Sequence, residues 1–103
     1  MNKNIELLDI SHTHITNLEL SYICKVLVNL KNLKISFCHK LEEGLGKQLV
    51  LTQMESLHMI AVNFSLKDIE HLSKLKLKNL IIGNSGFIDE NTNFYYMVQK
   101  IKV

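Results

Sequence analysis

The sequence predicts an α/β solenoid of about four repeats, with parallel strands on its concave face and helices on its convex face. Two observations lead to this fold class. First, one spaced pattern of apolar residues occurs four times along the 103-residue chain. Second, the stretches between these occurrences carry helix-capping residues or apolar residues at helical spacing. An ordinary two-layer α/β domain is the alternative fold that the same elements allow.

The apolar pattern begins near residues 5, 30, 54 and 77, so that successive repeats are 25, 24 and 23 residues apart. Within a repeat, the first apolar residue is followed by others three, five and ten positions later. The second repeat departs from this spacing, because Leu41 lies one position after the slot that Lys40 occupies. The apolar members, repeat by repeat, are Ile5, Leu8, Ile10 and Ile15; Leu30, Leu33, Ile35 and Leu41; Met54, Leu57, Met59 and Phe64; and Leu77, Leu80, Ile82 and Phe87.

A short strand is predicted at the centre of each repeat. In the first repeat Leu8 and Ile10, with Asp9 between them, alternate as the two faces of a strand require. The other repeats alternate in the same way, so one face of the sheet is expected to be buried and the other free. The predicted strands are parallel and in register, and they centre on residues 6–10, 32–36, 56–60 and 79–83.

Helices are predicted near residues 17–28, 66–74 and 90–101. Thr16 precedes the first of them and Glu19 follows three positions later, which is the spacing of a capping box. Ser65 and Asp68 repeat this arrangement before the second predicted helix. Both helices are therefore expected to begin with a side chain that caps a free backbone amide.

The segment after the second strand is the poorest helix former. Gly44 and Gly46 lie in it, and each glycine weakens a helix by about 1 kcal/mol relative to alanine. We therefore predict no helix for this segment, although Leu45 and Leu49 remain available for packing.

With these residues in place, the chain resembles the leucine-rich-repeat family from Ile5 to about Ile101. Each repeat reads LxxLxLxx, followed by the slot that the family fills with asparagine or cysteine, one further residue and a final apolar residue. We call this slot the turn slot; it holds Thr13, Cys38, Val62 and Ser85. Cys38 and the period of 23–25 residues make the chain most similar to the cysteine-containing subclass, known from F-box substrate receptors.

The resemblance implies both a structural role for the turn slot and a function. In the family, the asparagine or cysteine there hydrogen-bonds the turning backbone of neighbouring repeats. Thr13, Cys38 and Ser85 can do part of this, whereas Val62 cannot, because its side chain has no polar atom. The resemblance also implies that residues 1–103 form one domain that binds a protein or peptide, as an adaptor or recognition arm, and is not an enzyme.

Composition argues against a charged polymer or a membrane as partner. The formal net charge is only +2, and all 12 basic residues are lysines. Because arginine provides the planar fork favoured for phosphate and guanine recognition, its absence argues against nucleic acid. No apolar run approaches the length of about 18 residues that a membrane span needs. Two cysteines outside any CxxC pattern, with no signal region before them, indicate an intracellular, cytoplasmic location.

Residue types that carry chemistry are present, but not in catalytic or metal-binding patterns. His12 and His14 form the one close histidine pair, and a zinc site needs a further ligand nearby. His39 and His58 lie one and two repeats away. Cys38 and His39 are sequence neighbours, whose side chains usually diverge rather than pair. We therefore expect no metal, no cofactor and no catalytic residue.

A binding surface is predicted from the alternation, because the side chains between buried positions are free for a partner. One such row, the central column, holds Asp9, Lys34, His58 and Ile81. Asp9 and Lys34 are expected to form an exposed lateral pair. Phe37 is the best anchor, since aromatic groups dominate interface energetics, although packing over the strand end is its alternative role. The predicted partner-binding residues are Asp9, His12, Lys34, Phe37, His58 and Ile60.

The alternative function is a structural unit that associates with itself. The first and last strands of a solenoid leave unpaired backbone edges, which invite pairing with another chain and predict a homodimer. Under the main hypothesis, four strands give a face only about 15 Å wide. That width favours a peptide, a loop or a small domain edge as the partner.

Overall fold

Four strands and three helices alternate along residues 4–83, which is the part of the chain that the computed structural model describes. The strands are β1 (Leu7–Asp9), β2 (Asn32–Lys34), β3 (Ser56–Ile60) and β4 (Asn79–Gly83), and the helices are α1 (Asn17–Val26), α2 (Leu45–Leu49) and α3 (Leu66–Leu72). These elements make an α/β fold. The helix predicted near residues 90–101, together with Ser85 and Phe87, lies outside the described residues.

The sheet is parallel throughout, and its strands lie in chain order, β1-β2-β3-β4. Leu7 lies opposite Asn32, Asn32 opposite Ser56, and Ser56 opposite Asn79, so the register follows the sequence repeat. The predicted parallel, in-register pairing is therefore confirmed. β1 and β2 are shorter than predicted, with three residues each, whereas β3 and β4 have the predicted bounds.

The buried face of the sheet shares one core with the helices. In the two inner strands, Leu33 and Leu57 are fully buried, as the apolar pattern predicted. Leu8 in β1 and Leu80 in β4 are only partly buried, because each outer strand of the described sheet has a neighbour on one side. Burial is thus deepest at the second and third repeats.

Both predicted capping boxes are present. The backbone N–H of Glu19 donates to Thr16 Oγ1 at 3.4 Å, and the backbone N–H of Thr16 donates to the Glu19 carboxylate at 3.0 Å. Ser65 and Asp68 form the same reciprocal pair at the start of α3. α1 ends at Val26 rather than near residue 28.

The segment after β2 forms a five-residue helix, α2, for which the sequence analysis predicted no range. Its start is capped from the next repeat, because the Asp68 carboxylate accepts the backbone N–H groups of Gly44 at 2.9 Å and Gly46 at 3.0 Å. Gly44 adopts a left-handed φ of 102°, and a Cβ on Gly46 would lie 2.6 Å from the carbonyl oxygen of Asp68. The two glycines that weaken α2 as an isolated helix therefore allow its close contact with α3.

The loop before α2 is also held from the first repeat. Asn17, the first residue of α1, accepts the backbone N–H of Glu42 through Oδ1 at 2.9 Å. Its Nδ2 donates to the carbonyl groups of Glu42 and Glu43 at 3.2 and 3.3 Å. Residues 42–46 are thus anchored on one side by α1 and on the other by α3.

Opposite charges alternate where the strands begin, in a row that we call the strand-start column: Glu6, Lys31, Glu55 and Lys78. Lys31 Nζ lies 3.7 Å from Glu6 Oε1, and Lys78 Nζ lies 3.3 Å from Glu55 Oε1. The backbone joins the same positions, since the carbonyl of Glu6 accepts the N–H of Lys31 at 2.9 Å. The exposure of these side chains keeps each ion pair to less than about 1 kcal/mol.

Candidate functional site

The free face of the sheet carries the predicted central column. Asp9, Lys34, His58 and Ile81 lie opposite one another in adjacent strands. Asp9 and Ile81 are exposed, whereas Lys34 and His58 are half-buried between them. Half of the predicted binding residues therefore lie in one row.

Asp9 is engaged within its own turn. Its Oδ1 accepts the backbone N–H of Ser11 at 3.0 Å. This backbone hydrogen bond, with a smaller effect from the nearby charge of Lys34, holds the pKa of Asp9 below its ordinary value. The expected ion pair between Asp9 and Lys34 does not form, and both ion pairs within residues 4–83 belong to the strand-start column. The short aspartate side chain bonds the amide two residues ahead instead of reaching across to the next strand.

Lys34 therefore has no carboxylate partner among the described residues. Its side chain is half-buried, with Asp9 and His58 as its neighbours in register. A lysine ammonium group carries three N–H donors and no acceptor. At this position it offers positive charge to a bound group.

His58 is hydrogen-bonded to the next strand. Asn79 Nδ2 lies 3.5 Å from His58 Nε2 and 3.3 Å from Ser56 Oγ. The Asn79 side-chain amide thus lies within hydrogen-bonding distance of both Ser56 and His58 in β3. Ile60, at the end of β3, is half-buried.

A stacked pair of rings lies just past the carboxyl ends of β1 and β2. The rings of His12 and Phe37 have centroids 4.7 Å apart and planes 7° from parallel. We call His12, Phe37 and Ala61 the strand-end column, because these residues follow the strands at the same position of successive repeats. Phe37 remains 36% exposed. It therefore packs on His12 and also presents ring surface to solvent.

All three residues of the strand-end column have a left-handed backbone. Their φ angles are 62° for His12, 60° for Phe37 and 57° for Ala61, and no other non-glycine residue within residues 4–83 has a positive φ. This conformation is unfavourable by about 1 kcal/mol for a residue with a Cβ. The turn that ends each of the first three strands is thus one conformation repeated, and it sets the positions of the two rings.

Two serine hydroxyl groups join the strands near this turn, a feature that the sequence analysis missed. The backbone N–H of Ser36 donates to Ser11 Oγ at 3.1 Å, and that of Ile60 donates to Ser36 Oγ at 3.0 Å. The available signal was the recurrence of serine in the same slot of two repeats. No described strand precedes β1, and there Asp9 provides the acceptor for the Ser11 N–H.

Thr13 and Cys38, the polar members of the turn slot within residues 4–83, hydrogen-bond the turning backbone. Cys38 Sγ lies 3.2 Å from the carbonyl oxygen of Ile10 in the preceding repeat and 3.7 Å from Thr13 Oγ1. Thr13 Oγ1 donates to the same carbonyl at 2.7 Å. Val62 is fully buried and contributes only packing at this slot.

Both cysteines are buried free thiols. Burial raises the pKa of Cys24 to about 11, which disfavours the nucleophilic thiolate at neutral pH. Among residues 4–83, no group of three or more histidine, cysteine, aspartate or glutamate side chains is placed to hold a metal ion. The same part of the chain contains no helix with the length and apolar character needed to cross a membrane.

Two cavities lie near the amino ends of the strands, away from the strand-end column. One, of about 320 Å³, lies between the end of α1 and the loop after α2 and includes Cys24 and Leu51. The other, of about 430 Å³, lies between the second and third repeats and is lined in part by Glu55, Lys74 and Lys76. Neither contains a predicted binding residue.

Comparison with protein-family models, with curated proteins and with solved structures found no match for this chain.

Proposed function

We propose that this chain is a leucine-rich-repeat solenoid of about four repeats, and that it is a non-catalytic module binding a protein or peptide on its concave strand face. Three features support the solenoid. Strand pairing repeats at the period of the sequence, and one left-handed turn follows each of the first three strands. The bond from Cys38 to the turn of the preceding repeat is the third feature.

The observation that carries the binding proposal is the content of the free sheet face. Lys34 lies half-buried there and forms no ion pair with any residue in the range 4–83, in a face that also exposes apolar Leu7 and Ile81, at 57% and 38%. The strands fix the backbone that carries these side chains, so the backbone of the face needs no ordering when a partner binds. The mixture of an unpaired charge, amide and imidazole groups and apolar surface suits a peptide or a protein loop.

A cytoplasmic location belongs to the same proposal. The two thiols are buried and unpaired, which is compatible with a reducing compartment.

The test is capture of partners from a cell extract by three forms of the chain. Wild type is compared with a strand-face variant, Lys34→Glu with Phe37→Ala, and with an outer-helix control, Lys67→Glu with Lys74→Glu. Both control residues are exposed and lie away from the strand face. We expect the control to retain the proteins captured by wild type and the strand-face variant to lose them, with all three thermal midpoints nearly equal. Loss of capture in the helix control alone would place the interaction on the helical side.

Self-association is the second candidate, and the outer strands favour it. β1 has a strand neighbour on one side only within the described sheet, and the strand-start column begins with Glu6 and ends with Lys78. Opposite charges at the two outer strands suit pairing between two copies. Sedimentation over a wide concentration range tests this: association that weakens on Glu6→Lys supports it, and a monomer throughout excludes it.

A further inference from the structure

We infer that the bound segment carries an aromatic residue and a carboxylate, with its ring extending the stack of His12 and Phe37 over Ala61 and its carboxylate pairing with Lys34. This inference rests on the proposed function, because it names the chemistry of the segment that the strand face binds.

The strand-end column has rings at its first two positions and only a methyl group at the third. Ala61 has nearly the same φ as Phe37, and the backbone N–H of Phe37 donates to the carbonyl of Ile60 at 2.7 Å, so the column continues at the spacing of the sheet. His12 stacks on the face of Phe37 that is directed toward the first repeat, which leaves the other face directed toward Ala61. At the strand spacing of about 4.8 Å, a continuation of the stack would place the partner's ring over the Ala61 methyl group.

An aromatic ring suits this position better than an aliphatic side chain. Stacked aromatic pairs gain roughly 2- to 10-fold in affinity beyond the area that they bury. The fold also holds the Phe37 ring in place through a φ of 60°, which a bulky residue rarely adopts. Strained backbone that positions a partly exposed side chain is concentrated at functional sites.

Charge complementarity indicates the second feature of the bound segment, its carboxylate. Lys34 is half-buried and has no ion pair within residues 4–83, and Asp9, the acid opposite it in register, bonds the Ser11 amide through Oδ1. A carboxylate on the partner would provide the missing counter-ion. Phe37 follows Lys34 by three positions along the chain, and Ala61 lies at the same level as Phe37 in the next repeat, so the acidic and aromatic residues of the partner should lie about three residues apart.

The experiment uses the full chain, labelled with ¹⁵N, and the synthetic peptide acetyl-Gly-Ser-Glu-Gly-Ser-Tyr-Gly-Ser-amide. Two matched peptides replace the tyrosine by leucine or the glutamate by glutamine. We expect the first peptide to shift the amide resonances of Lys34, Phe37 and Ala61. Each replacement should weaken binding roughly threefold or more, and only the contribution of the glutamate should decline with added salt.

Protein variants assign the two contacts. Ala61→Phe fills the third position with the chain's own ring and should remove the preference for tyrosine over leucine, whereas Ala61→Ser should keep it. Phe37→Leu should also remove the preference for tyrosine over leucine, and it does so without enlarging a side chain. Lys34→Gln should make the glutamate and glutamine peptides bind equally.

The failure of this inference is distinguishable from failure of the proposed function. Equal binding of the tyrosine and leucine peptides, or no shift at the strand-face amides with any peptide, overturns the inference. The proposed function then still stands if the strand-face variant loses cellular partners while the helix control retains them. Loss of capture in the helix control alone overturns the proposed function and the inference with it.

Discussion

The buried carboxylate of Asp68 joins the second and third repeats. The side chain is 1% exposed, and it accepts the backbone N–H groups of Ser65 at 3.0 Å, Gly44 at 2.9 Å and Gly46 at 3.0 Å. A buried charge is unfavourable unless hydrogen bonds replace its hydration, and backbone amides at helix starts do so well. Asp68 is therefore a structural residue rather than a solvated one.

Replacing Asp68 by alanine should lower the free energy of unfolding by about 2–4 kcal/mol, because it removes a cap and leaves buried amides without acceptors. The matched control is Glu19→Ala, which removes the same capping-box position of α1 at an exposed site. That change should reduce stability by only about 0.5–1 kcal/mol. Urea unfolding of both variants measures the difference, and equal losses would contradict the bridging role of Asp68.

The Cys24 thiol predicts a loss of stability in alkaline solution. Burial raises its pKa from the ordinary 9.0 to about 11 in the folded chain. The contribution of the Cys24 thiol to the free energy of unfolding is fully present below pH 9. It declines as pH rises toward 11, because the thiol ionises first in the unfolded chain. We expect wild type to lose stability relative to Cys24→Ala between these values, in urea unfolding at a series of pH values. Parallel pH profiles would show that the thiol is not desolvated.

At the scale of elements, α2 and α3 are held together by a contact that only glycine permits. A Cβ at position 46 would lie 2.6 Å from the Asp68 carbonyl oxygen and 2.7 Å from its Cα, both backbone atoms. Gly46→Ala should therefore reduce the free energy of unfolding by about 1–3 kcal/mol, although alanine is the better helix former. Thermal and urea unfolding measure the loss.

Gly44→Ala provides the control for that change. Gly44 has a φ of 102°, but the nearest atom to an added Cβ is Asn17 Nδ2, at 3.8 Å. Gly44→Ala should therefore lower the free energy of unfolding through backbone strain alone, by about 1 kcal/mol. A stabilising effect of Gly46→Ala would mean that the helices are not in contact.

The elements that the sequence predicted are those that depend on local spacing. The capping box of Thr16 and Glu19 spans three residues, and the apolar alternation of the strands spans five. α2 was not predictable in this way, because Asp68, which caps it, lies 24 residues beyond Gly44. Its only local signals, the two glycines, argued against a helix.

The candidate binding residues were predictable as positions on a face of the sheet, but their contacts were not. The alternation placed Asp9, Lys34 and His58 in one row, and the register confirms that row. Asp9 and Lys34 lie opposite each other as predicted, but they form no ion pair, and Asp9 bonds the Ser11 amide within its own turn. The stack of His12 and Phe37 required the left-handed turn, which no local sequence signal indicated.

For the whole molecule, stability should depend on how central a repeat is. Leu57→Ala should lower the free energy of unfolding by about 2–5 kcal/mol, because this fully buried side chain lies between two other strands. Leu8→Ala, at the same position of the first repeat, should lower it by about 1–2 kcal/mol, since Leu8 is only partly buried. Urea unfolding compares the two variants. A loss of stability below about 1 kcal/mol for Leu57→Ala would show that Leu57 is not a core residue.

The alternating charges of the strand-start column bear on how a repetitive chain folds correctly. Strands with nearly identical apolar patterns can pair in the wrong order, and such misassembly is typical of repeat proteins. If β1 paired with β3, Glu6 would face Glu55, and if β2 paired with β4, Lys31 would face Lys78. Pairings that skip one repeat therefore bring like charges together, and the apolar residues alone would not discourage such pairings. By the same logic, loss of one inner repeat would disturb the alternation, whereas loss of two adjacent repeats would preserve it.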